Sequence, residues 1–392
     1  MALQSVVAQQ RKIFKLVMRT TGEIQLHDQL LIPFHGFADS KTASPNFPAS
    51  TIRVNEGDTV DIEATNISQS QHTMHLYGLD VNTSNDGDPL TSFELDHRQK
   101  YTYRFIARHA GTYLYHCHSK AVVNVALGMY GLLIVTAAQG KHTAWTNGPN
   151  FDAEYTWIAS EMDTSWNNNP PQQDTISGTV TIPSFVPTYF LLNGKSDPTY
   201  SLPVSGVQHS AIYFRLANMG YNDNHYIFPS FLNVFIIDSD GRPLPQASKQ
   251  DSLIVSPGER YGVIFYPKEA RNATIFLQYI NLYTNEIVGR KKISINITSP
   301  ALAINGITEQ EVKINQSCYS KTAAFTSTKW ITSPAILSIY NVYGVLVQRL
   351  EIYHGMPLLQ ANLDLDQLGP GIYSIATQIG DIKLWHKFSK EN

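Results

Sequence analysis

Cysteine is nearly absent from this chain. Only Cys117 and Cys318 occur in 392 residues, and they lie in segments that read as different domains, so a disulfide framework is excluded. Charge is thin as well: 29 Lys and Arg stand against 32 Asp and Glu, a net charge of −3, and charged residues make up 16% of the chain. That balance offers no basic face to nucleic acid. Long apolar runs are also missing. Leu132-Leu133-Ile134-Val135 is far too short to cross a bilayer. No complete signal peptide is visible, although residues 1–10 (MALQSVVAQQ) resemble the cleavage region of one without its charged and apolar parts. What remains is a chain long enough for two or three domains, rich in the Tyr, Phe and Thr that favour strands.

Short alternating runs fill the chain. Thr51-Ile-Arg-Val, Thr59-Val-Asp-Ile-Glu-Ala and Tyr101-Thr-Tyr-Arg-Phe-Ile are examples, separated by Gly, Pro, Asn and Asp clusters, the pattern of a β-sandwich or barrel. Boundaries are expected at 12–138 for a first domain, 152–298 for a second and 300–392 for a third, with a polar linker around 137–150. The third segment alternates as well and is free of convincing helical periodicity.

Tyr115-His116-Cys117-His118 is the most informative stretch. Successive residues of a strand point to opposite faces, so Cys117 is expected on one side and His116 with His118 on the other. One strand could then serve two metal sites back to back, with ligand types that suit copper or zinc. Upstream, His72-Thr73-Met74-His75-Leu76-Tyr77 places His75 and Tyr77 on one face and His72 on the other. A blue-copper site takes two imidazoles, a thiolate and a weak axial thioether. His72, Cys117 and Met129 provide three of those groups; the remaining position offers Asn124, a poor copper ligand. His75, His116 and His118 are the candidates for a second centre.

These motifs, with Asn85-Asp-Gly-Asp-Pro and Gly128-Met129-Tyr130-Gly131, closely resemble the first cupredoxin domain of multicopper oxidases, in particular two-domain forms that keep a type 1 copper there. Phe190-Leu-Leu-Asn-Gly-Lys, Arg215-Leu-Ala-Asn-Met-Gly and Ser256-Pro-Gly-Glu-Arg-Tyr resemble the second. The resemblance implies an all-β protein of two tandem cupredoxin-like Greek-key β-sandwiches followed by a small C-terminal β-sandwich, and copper as the metal. It also implies an incomplete type 1 site at His72, Cys117 and Met129, with Asn124 where a histidine belongs, and a type 2/3-like site at His75, His116 and His118. Tyr77 stands where a His-x-His pair should finish, and the second block has only His209 and His225. A full trinuclear cluster is therefore not expected. Any redox work would be single-electron, passing from the thiolate site across the Cys117–His116 or Cys117–His118 backbone, with an unidentified electron donor or acceptor. A non-catalytic binding or structural protein is the alternative, and a nitrite-reductase-like homotrimer sharing a type 2 site between subunits is a third.

Plainer readings stand beside each residue. A free cysteine is commonly a small core hydrophobe and a methionine a core filler; clustered histidines can simply hydrogen-bond in a crevice between domains. His97 and His109 sit in turn-like contexts and are expected at the surface. Asp80 and Asp86 lie in a loop near the motif, and no spacing selects either as a proton relay.

At the C-terminus, Leu337-Ser-Ile-Tyr-Asn-Val-Tyr-Gly and Leu368-Gly-Pro-Gly-Ile-Tyr resemble the sorting domain of type IX secretion cargo. That resemblance implies a partner in the type IX secretion machinery, passage through a bacterial periplasm, a secreted or cell-surface location, and removal of the segment. An accessory β-sandwich is the plainer reading. Cys318 precedes the pattern with no evident role.

Overall fold

The structure is a computed structural model. It describes residues 10–138, 142–171, 182–300, 312–315, 322–327, 335–352, 361–365, 368–379 and 382–390. Cys318 and most of the 1–10 segment lie outside these residues. The described chain is almost entirely β, in two tandem cupredoxin-like sandwiches and a small C-terminal β-sandwich.

The first sandwich is built from β1 (Arg11–Gln25), β2 (Leu31–Ala38), β3 (Ala49–Asn55), β4 (Thr59–Asn66), β5 (His75–Tyr77), β6 (Lys100–Ile106), β7 (Gly111–His116) and β8 (Tyr130–Thr136). One sheet runs β2-β1-β4-β6, the other β3-β8-β7-β5. Strand β6 shows the alternation behind this layering: Tyr103 and Phe105 enter the core while Lys100, Thr102 and Arg104 face outward. Strands β7 and β8 differ, being buried on both faces, hence their near-continuous apolar sequence. Tyr113, Tyr115, Leu133 and Val135 face the first core. Leu114, Tyr130 and Leu132 face the other way, against Ile158, Ala217 and Met219 of the second sandwich. Cys117 and Met129 belong to the first core.

The second sandwich pairs a six-stranded sheet with a five-stranded one. The six-stranded sheet contains β9 (Ala153–Met162) parallel to a strand at Ile212–Asn218, which pairs antiparallel with Arg260–Phe265. Polar contacts tie the two sandwiches together. Arg215, 1% exposed, bonds Glu154 at 2.5 Å and Thr112 Oγ1 at 3.1 Å, and Glu154 also meets Arg53 at 2.9 Å.

Contact clustering divides the chain into two compact units. The larger holds both sandwiches; the smaller holds 205–211, 266–271 and 297–392. Within the smaller unit, sheets of three and four strands form, the latter in the order Leu346–Ile352, Ala335–Asn341, Gly371–Ile379, Ile382–Lys390. Leu337, Ile339, Ile375 and Phe388 are buried there. No helix among the described residues is long and apolar enough to cross a membrane.

A helical turn, α1 (Ala121–Ala126), sits between Cys117 and Met129. With one six-residue turn, it is too short to show a 3.6-residue pattern. It opens at Lys120 in a left-handed conformation (φ 46°) and carries Asn124 on its buried side.

Candidate metal centre

Strand β7 ends at His116, one residue before Cys117, yet the alternation of faces continues. The Cys117 amide donates to Met129 O at 2.9 Å, and the Met129 amide to Asn124 O at 2.9 Å. This short ladder keeps Cys117 pointed into the first core behind Tyr113 and Tyr115. His116 follows the parity of Leu114 and faces the second sandwich.

On the core side, His72, Cys117 and Met129 have no solvent exposure. A backbone bridge between His72 and Leu95 holds the histidine. Its Nδ1 lies 3.4 Å from Cys117 Sγ and its Nε2 3.1 Å from Ser70 Oγ. The Cys117 thiol points to Ser119 O at 3.5 Å, and Asn124 Nδ2 lies 3.6 Å from Sγ and 2.7 Å from Ser119 O. Asn124 Oδ1 is 3.1 Å from Nδ1 of His35 on β2. Burial pushes the Cys117 thiol up to about 11. It also brings His72 down to about 3, aided by His35 and Lys120. Both groups are therefore neutral here.

On the opposite side, three imidazoles touch. His75 pairs directly with His116 across β5 and β7. Ring centroids are 5.3 Å apart for His75–His116, 4.9 Å for His75–His118 and 5.5 Å for His116–His118. Each Nδ1 has a partner. That of His75 donates to Asp86 O at 2.7 Å, that of His116 to Cys117 O at 3.0 Å, and that of His118 lies 3.5 Å from Asp88 Oδ2. All three Nε2 lone pairs are left for another partner, the arrangement second-shell groups impose on metal-ligating histidines. Burial takes His116 down to about 4, so its lone pair is free at neutral pH. Gly87, at φ 72°, brings the acidic loop here: a Cβ would meet Met74 O.

Among the described residues, no three His, Cys, Asp or Glu side chains are closed around a single point. The rings touch rather than converge. Their donor chemistry nonetheless fits a borderline metal such as copper.

Several neighbours are not singled out as site residues by the sequence. His35 is 89 residues from Asn124, Asp88 lies in the Asn85-Asp-Gly-Asp-Pro motif, and Arg260 comes from the second sandwich. The Arg260 guanidinium sits 4.8 Å from the Tyr77 ring centroid, and Tyr77 is 5.7 Å from both His75 and His116. Thus an arginine, with Tyr77, borders the imidazoles on the side of the second sandwich. His225 lies elsewhere, in register with Ile254 and Gln278. Asp86 stands 3.3 Å from His75, whereas Asp80 pairs with Arg242 and the exposed His109. His97 is half-buried in its turn, and its Nδ1 donates to Ser68 O at 2.8 Å.

Residues 27–140 match the family model described as "Multicopper oxidase". The first sandwich is similar to a multicopper oxidase domain. Copper is the metal this family implies. The chain is 29% identical over 133 residues to copper resistance protein A of Escherichia coli, covering 34% of this chain and 20% of that one. It is 35% identical over 122 residues to a copper-containing nitrite reductase of Neisseria meningitidis, covering 31% and 29%. These matches span less than a third of either relative. The solved structure of a blue copper oxidase from Nitrosomonas europaea superposes with a TM-score of 0.60 at 26% identity, covering 76% of this chain and 88% of that one.

Proposed function

We propose that this chain is an exported copper-binding protein of the multicopper oxidase type that carries out no four-electron reduction of dioxygen. The observation that carries the reading is the division at residues 116–118. Cys117 meets His72 in the dry core, while His116 and His118 meet His75 on the other side with every Nδ1 engaged. Copper held by His75, His116 and His118 would supply one-electron redox chemistry at that pocket. The residues themselves hold the imidazoles oriented, through Asp86, Asp88 and the Cys117 carbonyl. Arg260 and Tyr77, where the second sandwich meets this pocket, argue against a trinuclear cluster, which needs histidine pairs from two domains.

A nitrite-reducing trimer ranks lower, since His225 is held in its own sheet. Export rests on the C-terminal motifs. Mass spectrometry of the protein recovered outside the cell would show loss of residues 300–392 if that segment is a sorting signal.

The decisive experiment is copper loading of the purified full chain, with metal content, paramagnetic resonance and dioxygen uptake recorded together. The expected result is Cu(II) bound at the imidazole pocket, lost in His116→Ala, with no sustained oxidation of phenols. Protein that retains no copper in any oxidation state overturns the reading, as does rapid dioxygen turnover. A non-catalytic copper binder would show the same metal content and no electron exchange with an added one-electron donor.

A further inference from the structure

Asn124 has a defined orientation, and it bears on which copper ion the thiolate pocket can take. Its Nδ2 lies 2.7 Å from Ser119 O, and a carbonyl oxygen only accepts, so the amide must present its NH2 on that side. The same NH2 is 3.6 Å from Cys117 Sγ. Oδ1 is thereby turned away to accept from His35 Nδ1 at 3.1 Å. A flipped amide would set oxygen against oxygen at Ser119. Asn124 therefore offers sulfur an N–H and offers a metal no lone pair.

We propose that the pocket of Cys117, His72 and Met129 is a Cu(I) site, in which Asn124 is a hydrogen-bond donor to the thiolate and His35 is the positioning residue that fixes it. The inference rests on the reading of the chain as a copper protein. One thiolate, one thioether and one imidazole form a soft set that selects Cu(I), while Cu(II) in a trigonal site calls for a second imidazole. His72, Cys117 and Met129 are all fully buried, so bulk water does not reach the missing place. Charge points the same way. Cu(I) with a thiolate is neutral, whereas Cu(II) with one thiolate leaves a net positive charge in a dry core, near Lys120. Binding releases the Cys117 proton and moves no electron. Ser70 Oγ, 3.1 Å from His72 Nε2, can donate or accept, so His72 can change tautomer and free Nδ1 without losing that bond.

The test uses the full chain under anaerobic conditions, with Cu(I) supplied against a chromophoric Cu(I) chelator. One Cu(I) should be retained that His116→Ala does not remove and Cys117→Ala does. X-ray absorption on the unmodified chain should show sulfur bound to this copper, a measurement independent of how Cys117→Ala folds. Ferricyanide should raise no intense thiolate-to-Cu(II) visible band in the wild type, whereas Asn124→His should turn blue on Cu(II) addition. His35→Ala should weaken Cu(I) binding about tenfold, as loss of outer-shell partners does, and His35→Gln, which keeps an N–H for Oδ1, should restore it. A blue band in the wild type overturns the inference. So does Cu(II) bound at the imidazole pocket with no sulfur-bound Cu(I) elsewhere. Absence of copper from both pockets would instead overturn the broader reading.

Discussion

The two pockets that flank residues 116–118 share one stretch of backbone and differ in almost everything else. The thiolate pocket lies in the hydrophobic core, with each donor already satisfied by a protein partner: His72 by Cys117 and Ser70, Cys117 by Ser119, Asn124 by Ser119 and His35. The imidazole pocket is partly open, with side-chain exposures of 15% at His75 and 32% at His118, and its Nδ1 groups are the ones that protein partners satisfy. The first pocket is thus a structural element of the core even without metal. The second has little to do in the fold except hold something. The contrast shows how one parity rule can place two environments of opposite character about 3–4 Å of backbone apart.

Acid should break the contrast most severely. His72 and His116 are depressed to about 3 and about 4, from an ordinary 6.5. The unfolded chain takes up protons first as pH falls, so the metal-free protein loses stability from about pH 6.5 down towards 3. Since a tenfold change in proton affinity corresponds to about 1.4 kcal/mol, the loss is on the order of several kcal/mol. A urea-denaturation series across that range checks it, and His72→Gln should flatten the profile more than His118→Gln does.

Next in size is His116→Ala. Copper affinity at the imidazole pocket should fall at least ~100-fold, more than outer-shell changes produce, with little change in metal-free stability. Competition with a Cu(II) chelator measures the first quantity and thermal unfolding the second. If stability fell as far as affinity, the imidazoles would be packing groups and the comparison would collapse.

Tyr103→Phe probes the core pocket from behind. The Tyr103 hydroxyl, with no solvent exposure, accepts from the Met74 amide at 3.0 Å and lies 3.2 Å from Thr73 Oγ1. Its loss leaves a buried N–H unpaired, worth about 1–3 kcal/mol of unfolding free energy. Asp88→Asn should have the smallest effect. It weakens the hold on His118 Nδ1 and reduces copper affinity about tenfold, with unfolding midpoint unchanged.

Much of the site could be read from residue order. Alternation placed Cys117 opposite His116 and His118, and it put His75 and Tyr77 on one face, where their rings are now 5.7 Å apart. The all-β character likewise followed from the alternating runs of β6 and their Gly and Asn punctuation. The helical turn at 121–126 escaped detection because so short a turn has no period to reveal.

Sequence by itself determined which donors this protein has and, through the two-residue period of a strand, which of them can share a side. Asn124 in place of an imidazole is likewise a fact of sequence. Only the tertiary structure decided what that asparagine does, because its orientation depends on Ser119 O and on His35 from a distant strand. It also decided that Arg260, from another sandwich, borders the imidazoles. Hydrogen bonds and ring contacts across such separations depend on how sheets pack, and no local pattern encodes them.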